Sequence, residues 1–178
     1  MKIAYLINSH KNIKQLERLV AKLKRDESDI FIHIDKKVDA AGYDLIISSL
    51  CKYNVMMVED RVDVKWGEFS QVEATIHGLA AISKNNNAYD YIFFISGQDY
   101  PIKSNACILE YFTRNIGNEF INYCELSPDG WSEAMMRFEK YWLGYFIVNQ
   151  RICRFAQLVL TNLLPIRKIP YGYRGYAG

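Results

Sequence analysis

The chain has 178 residues, and half of them are hydrophobic. That length suits one domain, or one domain and part of another, with a sizeable core. The formal net charge of +2 argues against a large nucleic-acid interface, and we expect no nucleic-acid partner.

Predicted strands and helices alternate along the first part of the chain. Short apolar and β-branched runs that end in polar residues predict strands over residues 3–8, 30–34 and 54–58. Helices are predicted between them, over residues 13–24 and 44–52. In the first of these helices, apolar side chains recur at helical spacing and mark a buried face.

The alternation continues as far as residue 123. A helix is predicted over residues 70–85, and the most hydrophobic run, residues 91–95, is predicted to be a central strand. A helix over residues 107–115 and a strand over residues 119–123 follow. Strands that alternate with helices are typical of an α/β fold with helices on both faces of one sheet.

The cysteines and the hydropathy pattern bear on the cellular compartment. The four cysteines match no metal-binding spacing and lie among apolar residues, so we expect buried side chains in a reducing compartment. The N-terminal apolar run is too short for a signal peptide, and no uncharged apolar stretch reaches the roughly 18 residues of a membrane span. We therefore expect a cytoplasmic protein without a Golgi-type anchor in this chain.

One later segment, residues 145–164, is long and mostly apolar, with basic residues on it and just after it. Such a segment is typical of a buried helix that covers the sheet. The alternative is peripheral membrane contact through residues 145–168, which would bring the protein to a lipid-linked acceptor.

Polar residues follow three of the predicted strands where each strand ends, at residues 9–10, 35–37 and 96–99. Ligands of an α/β sheet bind outside the carboxyl ends of its strands. If the three strands are parallel neighbours, these polar clusters share one crevice. Gly97 lets a ligand approach the backbone of the third cluster closely.

Individual side chains near this crevice suit nucleotide recognition. A carboxylate at Asp35 can accept hydrogen bonds from a base N–H or a ribose hydroxyl, and Arg61 can pair with phosphate or stack on a nucleobase. Trp66 and Gly67 combine a flat ring with a tight turn. Plainer interpretations exist for two aromatic side chains of this region. A tryptophan such as Trp66 is usually a core residue, and a histidine inside a strand, such as His33, is usually packed in the sheet.

Several catalytic signatures are absent from the sequence. It contains no P-loop, no Gly-x-Gly-x-x-Gly after the first strand and no Gly-x-Ser-x-Gly. It also lacks the Asp-x-Asp at a strand end that would hold a divalent metal on a diphosphate. We expect neither a metal nor a cofactor.

A series of motifs, in order along residues 3–123, carries a family resemblance. They are Ile-Ala-Tyr at 3–5 with His10, His-Ile-Asp-Lys at 33–36, Val-Lys-Trp-Gly at 64–67 continuing to Ser70, Tyr-Asp-Tyr-Ile-Phe at 89–93, Ser-Gly-Gln-Asp-Tyr-Pro at 96–101 continuing through Ile-Lys-Ser-Asn, and Glu-Phe-Ile at 119–121. Through them the chain resembles the core-2/I-branching enzyme family (glycosyltransferase family 14). That family includes β-1,6-N-acetylglucosaminyltransferases and peptide O-xylosyltransferases.

The resemblance implies a GT-A-like fold and an inverting, metal-independent transfer from a UDP-sugar to the hydroxyl of a glycan or glycolipid acceptor. N-acetylglucosamine is the first choice of sugar and xylose the second, while glucose and galactose stay open. Residues 1–125 would form the nucleotide-sugar-binding core. Residues 126–178 would be a helical, acceptor-side segment of the same domain, incomplete in this chain.

The resemblance also assigns residues. Asp35 would contact the uracil or ribose, Arg61 would be a second nucleotide contact, and Asp99 would lie beside the donor sugar or hold its loop. The remaining residues of the predicted donor site are Leu6, through its backbone, Trp66, Gly67 and Ser96. Acceptor contacts are expected at Glu125 and Arg137.

The catalytic base of the family is a glutamate in an acidic segment near the C-terminal end. An inverting transfer needs such a base on the acceptor hydroxyl. Residues 127–130 have Gly130 where that glutamate would stand, and too early in the chain. We expect the base beyond Gly178 and this chain to be a fragment, inactive alone. The alternative is a non-catalytic module that binds a nucleotide-sugar or a carbohydrate.

Overall fold

The computed structural model describes residues 1–122, 124–125, 139–141, 150–167 and 176–177. The chain divides into two compact units, Met1–Asn118 and Glu119–Gly178. The division falls a few residues before the predicted one between residues 125 and 126. The acceptor-side role given to residues 126–178 stays a prediction.

The first unit is built on a four-stranded parallel sheet. Its strands are β1 (Ile3–Ser9), β2 (Ser28–Ile34), β3 (Met56–Met57) and β4 (Tyr91–Ser96). They lie in the order β3-β2-β1-β4, and every neighbouring pair is parallel. The predicted α/β fold of GT-A-like type is confirmed.

Helices pack on both faces of this sheet. They are α1 (Ile13–Leu23), α2 (Ala40–Leu50), α3 (Ser70–Lys84) and α4 (Asn105–Arg114), with a short 3₁₀ helix, Cys51–Tyr53, after α2. Side chains alternate between the two faces of a strand, so β1 contributes to two cores. Ile7 packs with Leu19 of α1 and Leu50 of α2, and Leu6 packs in a second core with Ile82 of α3.

The contact between α3 and β1 is unusually close at one glycine. A Cβ atom on Gly78 would lie 2.3 Å from Cδ1 of Leu6, well inside van der Waals contact. The absence of a side chain at Gly78 therefore brings the helix axis close to the sheet. This contact places the start of α3 over the carboxyl ends of the strands.

Two predicted helices begin earlier than expected, because polar side chains cap them. The carboxylate of Asp39 accepts a hydrogen bond from Gly42 N at 2.8 Å, so α2 begins at Ala40 rather than at residue 44. The hydroxyl of Ser104 accepts from Cys107 N at 3.2 Å, so α4 begins at Asn105 rather than at residue 107. Side-chain caps of this kind satisfy N–H groups of the first helical turn.

The prediction that residues 91–95 form a central strand was wrong. Within the part of the chain that the structure describes, β4 lies at the end of the sheet, and β1 and β2 are central. Helix α3 packs over β1 and β2, and the side chains of Ile92 and Phe94 on that face are about half exposed. Hydrophobicity alone indicates burial but does not determine which strands become neighbours.

Two other expectations were also wrong. Residues 119–122 are not in a strand, because a β-forming run needs a partner strand, and the short strand of this region is instead β5 (Cys124–Glu125). Cys51 and Cys107 are free and exposed rather than buried. Both lie at the starts of helical segments whose outer sides face solvent.

The second unit contains α5 (Gln150–Leu163) and an antiparallel pair formed by β5 and β6 (Tyr176–Ala177). Among the described residues, no helix is long and apolar enough to cross a membrane.

Candidate functional site

A cleft of about 610 Å³ opens at the carboxyl ends of the parallel strands. The three predicted polar clusters meet there: Ser9 and His10 come from the end of β1, Asp35 from β2, and Ser96 and Asp99 from β4. The prediction that these clusters share one crevice is confirmed. It follows from the parallel arrangement of the three strands, whose carboxyl ends lie at one edge of the sheet.

Two rows of side chains cross the sheet beneath this cleft. Asn8 pairs in register with His33 on one side and with Ser96 on the other, and we call these three residues the polar row. Two residues earlier along the strands, on the same face of the sheet, lies an apolar row that consists of Phe31, Leu6 and Phe94. The base of the cleft therefore changes from apolar to polar toward its mouth.

The first turns of α3 form another wall of the cleft, through Gln71, Val72 and Thr75. The sequence did not single out Asn8 or these helix residues as site residues. For Asn8 the available signal was its position as a polar residue at a strand end. For the helix the signal was absent, because only the packing of Gly78 against Leu6 places this turn at the cleft.

Asp35 is a buried side chain, 5% exposed, at the mouth of the cleft. Its backbone N–H donates to Ser9 O at 2.9 Å, which continues the β1–β2 pairing beyond the strands. Its Oδ1 accepts from Lys37 N at 2.9 Å, and its Oδ2 lies 3.4 Å from the Lys37 ammonium. A carboxylate has about four acceptor positions, so Asp35 can still accept hydrogen bonds from a ligand.

His33 also lines the cleft, but it is held by the protein. Its Nε2 accepts from Val62 N at 3.0 Å, so the neutral ring carries its proton on Nδ1. Burial lowers the pKa of His33, nearby Asp35 raises it, and the charges of His77 and Arg61 lower it. The interpretation of His33 as a packed sheet histidine is confirmed.

Arg61 holds the loop that follows β2. Its Nε donates to Ile34 O at 3.1 Å, and its Nη2 donates to Asp35 O at 2.8 Å and to Val38 O at 2.6 Å. The guanidinium also lies 4.3 Å from the centre of the Tyr43 ring. The structure thus places Arg61 behind Asp35, outside the residues that line the cleft.

The turn from Ser96 to Asp99 is closed by its own side chains. Oδ2 of Asp99 accepts from Ser96 N at 2.7 Å, and the Ser96 hydroxyl accepts from Gln98 N at 3.2 Å. A Cβ atom on Gly97 would lie 2.5 Å from Oγ of Ser9, so only glycine lets this turn pack against the end of β1. Of the two roles expected for Asp99, the structure shows that of holding the loop.

The other predicted donor-site residues lie outside the cleft lining. Leu6 is fully buried beneath it. Trp66 is 76% exposed, so it is not a core residue, and Gly67 has a left-handed φ of 74°. These two residues form part of the segment that leads into α3.

Of the two predicted acceptor residues, only Glu125 lies within the described part of the chain. The backbone of Glu125 lies in β5, opposite Tyr176, and Arg137 lies outside the described residues. Within the described ranges, no group of three His, Cys, Asp or Glu side chains is arranged to hold a metal ion.

A parallel sheet with helices on both faces makes this an α/β protein, and a polar cleft at the carboxyl ends of the strands is where proteins of that class bind ligands. Comparison with sequence models of protein families identifies the family of this chain. The model of the Core-2/I-Branching enzyme matches residues 3–142, and the chain belongs to that family.

Curated relatives carry glycosyltransferase names. The chain is 26% identical over 110 residues to the human N-acetyllactosaminide β-1,6-N-acetylglucosaminyl-transferase, covering 61% of this chain and 27% of that protein. It is 27% identical over 151 residues to a bovine β-1,3-galactosyl-O-glycosyl-glycoprotein β-1,6-N-acetylglucosaminyltransferase, covering 84% of this chain and 34% of the relative. It is 23% identical over 123 residues to the xylosyltransferase oxt of Drosophila melanogaster, covering 68% of this chain and 14% of that protein. The match thus spans between 14% and 34% of each of these relatives.

Proposed function

We propose that the cleft binds the nucleotide part of a UDP-sugar, and that the protein containing this chain transfers the sugar to an acceptor hydroxyl. The observation that carries the proposal is Asp35, a buried carboxylate at the carboxyl end of β2 that lines the cleft. Membership of a family whose relatives are named glycosyltransferases supports the same reaction class. N-acetylglucosamine is our first choice of sugar, because two of the relatives carry it in their names.

The proposed transfer proceeds with inversion and without a metal. The acceptor hydroxyl, deprotonated by a general base, attacks the anomeric carbon from the side opposite the diphosphate, which leaves with the bonding electrons. Because the sequence lacks an Asp-x-Asp at a strand end, we propose that protein groups stabilise the leaving diphosphate. We assign no base among the described residues, and the glutamate expected beyond Gly178 stays a prediction, as do the acceptor contacts at Glu125 and Arg137.

Two alternatives concern the donor and the reaction. The Drosophila relative is named a xylosyltransferase, which keeps UDP-xylose as a second donor. A non-catalytic module that binds a nucleotide-sugar or a carbohydrate would use the same cleft. If its ligand is a nucleotide-sugar, such a module would bind UDP without transferring a sugar to any acceptor.

Peripheral membrane contact through residues 145–168 also stays a prediction. In the described part of this segment, Phe155 and Leu163 on α5 are largely exposed, and both are apolar. Exposed apolar side chains on one helix favour an interfacial role, and we propose it as a means of reaching a glycolipid acceptor.

Replacing Asp35 tests the proposed donor site. We expect Asp35→Asn to weaken UDP binding about tenfold or more, because the amide can still accept from Lys37 N but has lost the charged acceptor. Asp63→Asn is the matched control, since Asp63 also lies beside the Lys37 ammonium, at 3.8 Å, but does not line the cleft. It should bind UDP as the wild type does.

Isothermal titration of the protein containing this chain, with UDP, UDP-N-acetylglucosamine and UDP-xylose, measures these affinities. Parallel titrations with EDTA and with Mn²⁺ test the proposed metal independence. Equal UDP affinity in wild type and Asp35→Asn would remove Asp35 from the site. The lack of binding by any uridine ligand, with or without metal, would overturn the proposed function.

A further inference from the structure

One side-chain atom in the cleft has no hydrogen-bond partner. Among the described residues, Oδ1 of Asn8 is the single buried side-chain nitrogen or oxygen that has no hydrogen-bond partner. Leaving a buried acceptor unpaired costs free energy, and most buried polar atoms in proteins are paired. An unpaired polar atom at the base of a cleft therefore indicates that the cleft accepts a partner for it.

The neighbours of Asn8 in the polar row are held by protein groups. His33 accepts from Val62 N through Nε2, and the Ser96 hydroxyl accepts from Gln98 N. The backbone oxygen of Asn8 accepts from Gly97 N at 2.8 Å, which fixes the main chain at this point. Asn8 lines the cleft, and no described residue donates a hydrogen bond to its Oδ1.

The charge of the cleft indicates which part of a nucleotide-sugar it receives. The described residues that line it include two carboxylates, Asp35 and Asp99, and neither lysine nor arginine. The Lys37 ammonium already pairs with Asp35, and none of these described lining residues offers a cation to a diphosphate, so this part of the site suits an uncharged group. The partly exposed ring of Phe94, with Val72 across the cleft, offers an apolar surface against which a planar base can lie.

A carboxamide and the imide edge of uracil have complementary hydrogen-bonding groups. The uracil N3–H is a donor flanked by two carbonyl acceptors, and the Asn side chain offers one carbonyl acceptor and an NH₂ donor. Rotation of the soft terminal torsion of Asn8 brings either end of the amide toward the ligand. Two hydrogen bonds can then form at once, and the acceptor that is unpaired in the protein gains a partner.

We infer that Asn8 recognises the uracil base of the donor: its carboxamide, whose Oδ1 is unpaired at the centre of the polar row, binds the imide edge of the base within the cleft. The inference rests on the proposed function and adds a specificity-determining residue to it. It also assigns the cleft to the nucleoside half of the donor, with the diphosphate outside the residues that line it.

The test uses the protein containing this chain, with UDP and UDP methylated at N3 as probes. Asn8→Leu has nearly the same shape but no polar atoms, and we expect it to bind UDP about five- to tenfold more weakly. In wild type, N3 methylation should weaken binding. In Asn8→Leu, N3 methylation should weaken binding less, because the hydrogen bond from N3–H to Asn8 is already missing in that variant. The exposed Asn86 lies outside the cleft lining, and Asn86→Leu is the matched control.

A second measurement separates binding from a structural role. Because the buried Oδ1 of Asn8 is unpaired in the protein, Asn8→Leu should melt at the same temperature as wild type or higher. A residue that held the fold through hydrogen bonds would instead lower the melting temperature on replacement. Higher or equal stability together with weaker UDP binding supports the inference.

The contrary outcomes are distinct. If wild type binds UDP and Asn8→Leu binds it equally well, Asn8 does not read the base and the proposed function stands. If Asn8→Leu does not fold, the amide has a structural role and the inference fails. Equal binding of UDP and N3-methylated UDP by wild type also overturns it, and that comparison needs no variant. If wild type binds no uridine ligand, both the inference and the proposed function fail.

Discussion

His33 and Asp35 lie two residues apart at the end of β2, and each is at least nine-tenths buried. They are held in different ways. Asp35 forms an ion pair with Lys37 and lines the cleft. His33 accepts one backbone hydrogen bond, and that bond ties the segment after β3 to the strand. At the residue scale, the geometry of the site therefore depends on a histidine that must stay neutral to act as an acceptor.

The pH dependence of stability should report this histidine. Its folded-state pKa is lowered from 6.5, chiefly by burial, so the unfolded chain binds the proton more readily than the folded protein. The contribution of His33 to the free energy of unfolding is complete above about pH 6.5, its unfolded pKa, and falls as the pH drops toward the folded value. Asp35 opposes this effect, and Arg61 and His77 reinforce it.

Urea unfolding of the protein between pH 5 and pH 8 measures this slope. In His33→Gln, which can accept from Val62 N but does not titrate in this range, the decline toward acidic pH should be smaller. The same decline in wild type and variant would show that other groups cause it.

Single residues also show where sequence patterns mislead. The alternative reading of Trp66 as core fails, because the ring is largely exposed, and the exposed Cys51 and Cys107 contradict the expectation of burial. Composition gives the average environment of a residue type. It does not give the side of a helix or loop on which one residue lies.

At the element scale, α3 determines the shape of the cleft. Its first turns supply Gln71 and Thr75, and its middle packs on β1 through Gly78. The helix was predicted at nearly its observed bounds, Ser70–Lys84, because a run of helix-forming residues ends at poor helix formers from Asn85 on. Its distance from the sheet was not predictable, since it depends on Leu6, which lies far away in the sequence.

Substitution of Gly78 tests this contact. Gly78→Ala should lower the free energy of unfolding by about 1–3 kcal/mol, since the new Cβ would overlap Leu6 in a packed core. Alanine is otherwise the better helix former, so a gain in stability would show that the helix can move away from the sheet without loss. Chemical denaturation measures the difference. If Leu6 is the obstacle, Leu6→Val combined with Gly78→Ala should cost less than the sum of the two single changes.

At the scale of the whole molecule, the chain forms two compact units, and the cleft belongs to the first. Among the described residues, those that line it all fall between Asn8 and Asp99. Donor recognition, as proposed, is therefore contained within Met1–Asn118, and the residues expected to contact the acceptor, Glu125 and Arg137, come after this unit.

Hydrogen exchange in the presence of UDP tests this division. Binding should slow amide exchange in peptides that cover residues 8–10, 33–37, 71–75 and 96–99, because a ligand that occupies the cleft restricts local opening there. Mass spectrometry of the protein containing this chain, with and without UDP, provides the measurement. Protection confined to residues 119–178 would place the nucleotide elsewhere.

The sequence by itself determined the order of elements from β1 to α4 and the identity of the polar strand ends. Local patterns suffice for both, because strand and helix periodicity and the polar residues that end a strand are properties of neighbouring residues. The family motifs, in order along the chain, pointed to the same cleft. These features identified Asp35, Ser96 and Asp99 as residues that meet at one place, and the structure brings them together.

Only the tertiary structure decided which predicted site residues line the cleft. Arg61 is bound to three backbone carbonyls, whereas Asn8 lines the cleft with an unpaired amide oxygen. The end position of β4 among the described strands was likewise set by strand pairing. The physical reason is the same in each case. Hydrogen-bond partners and strand neighbours lie far apart in the sequence, and they are chosen when the chain folds.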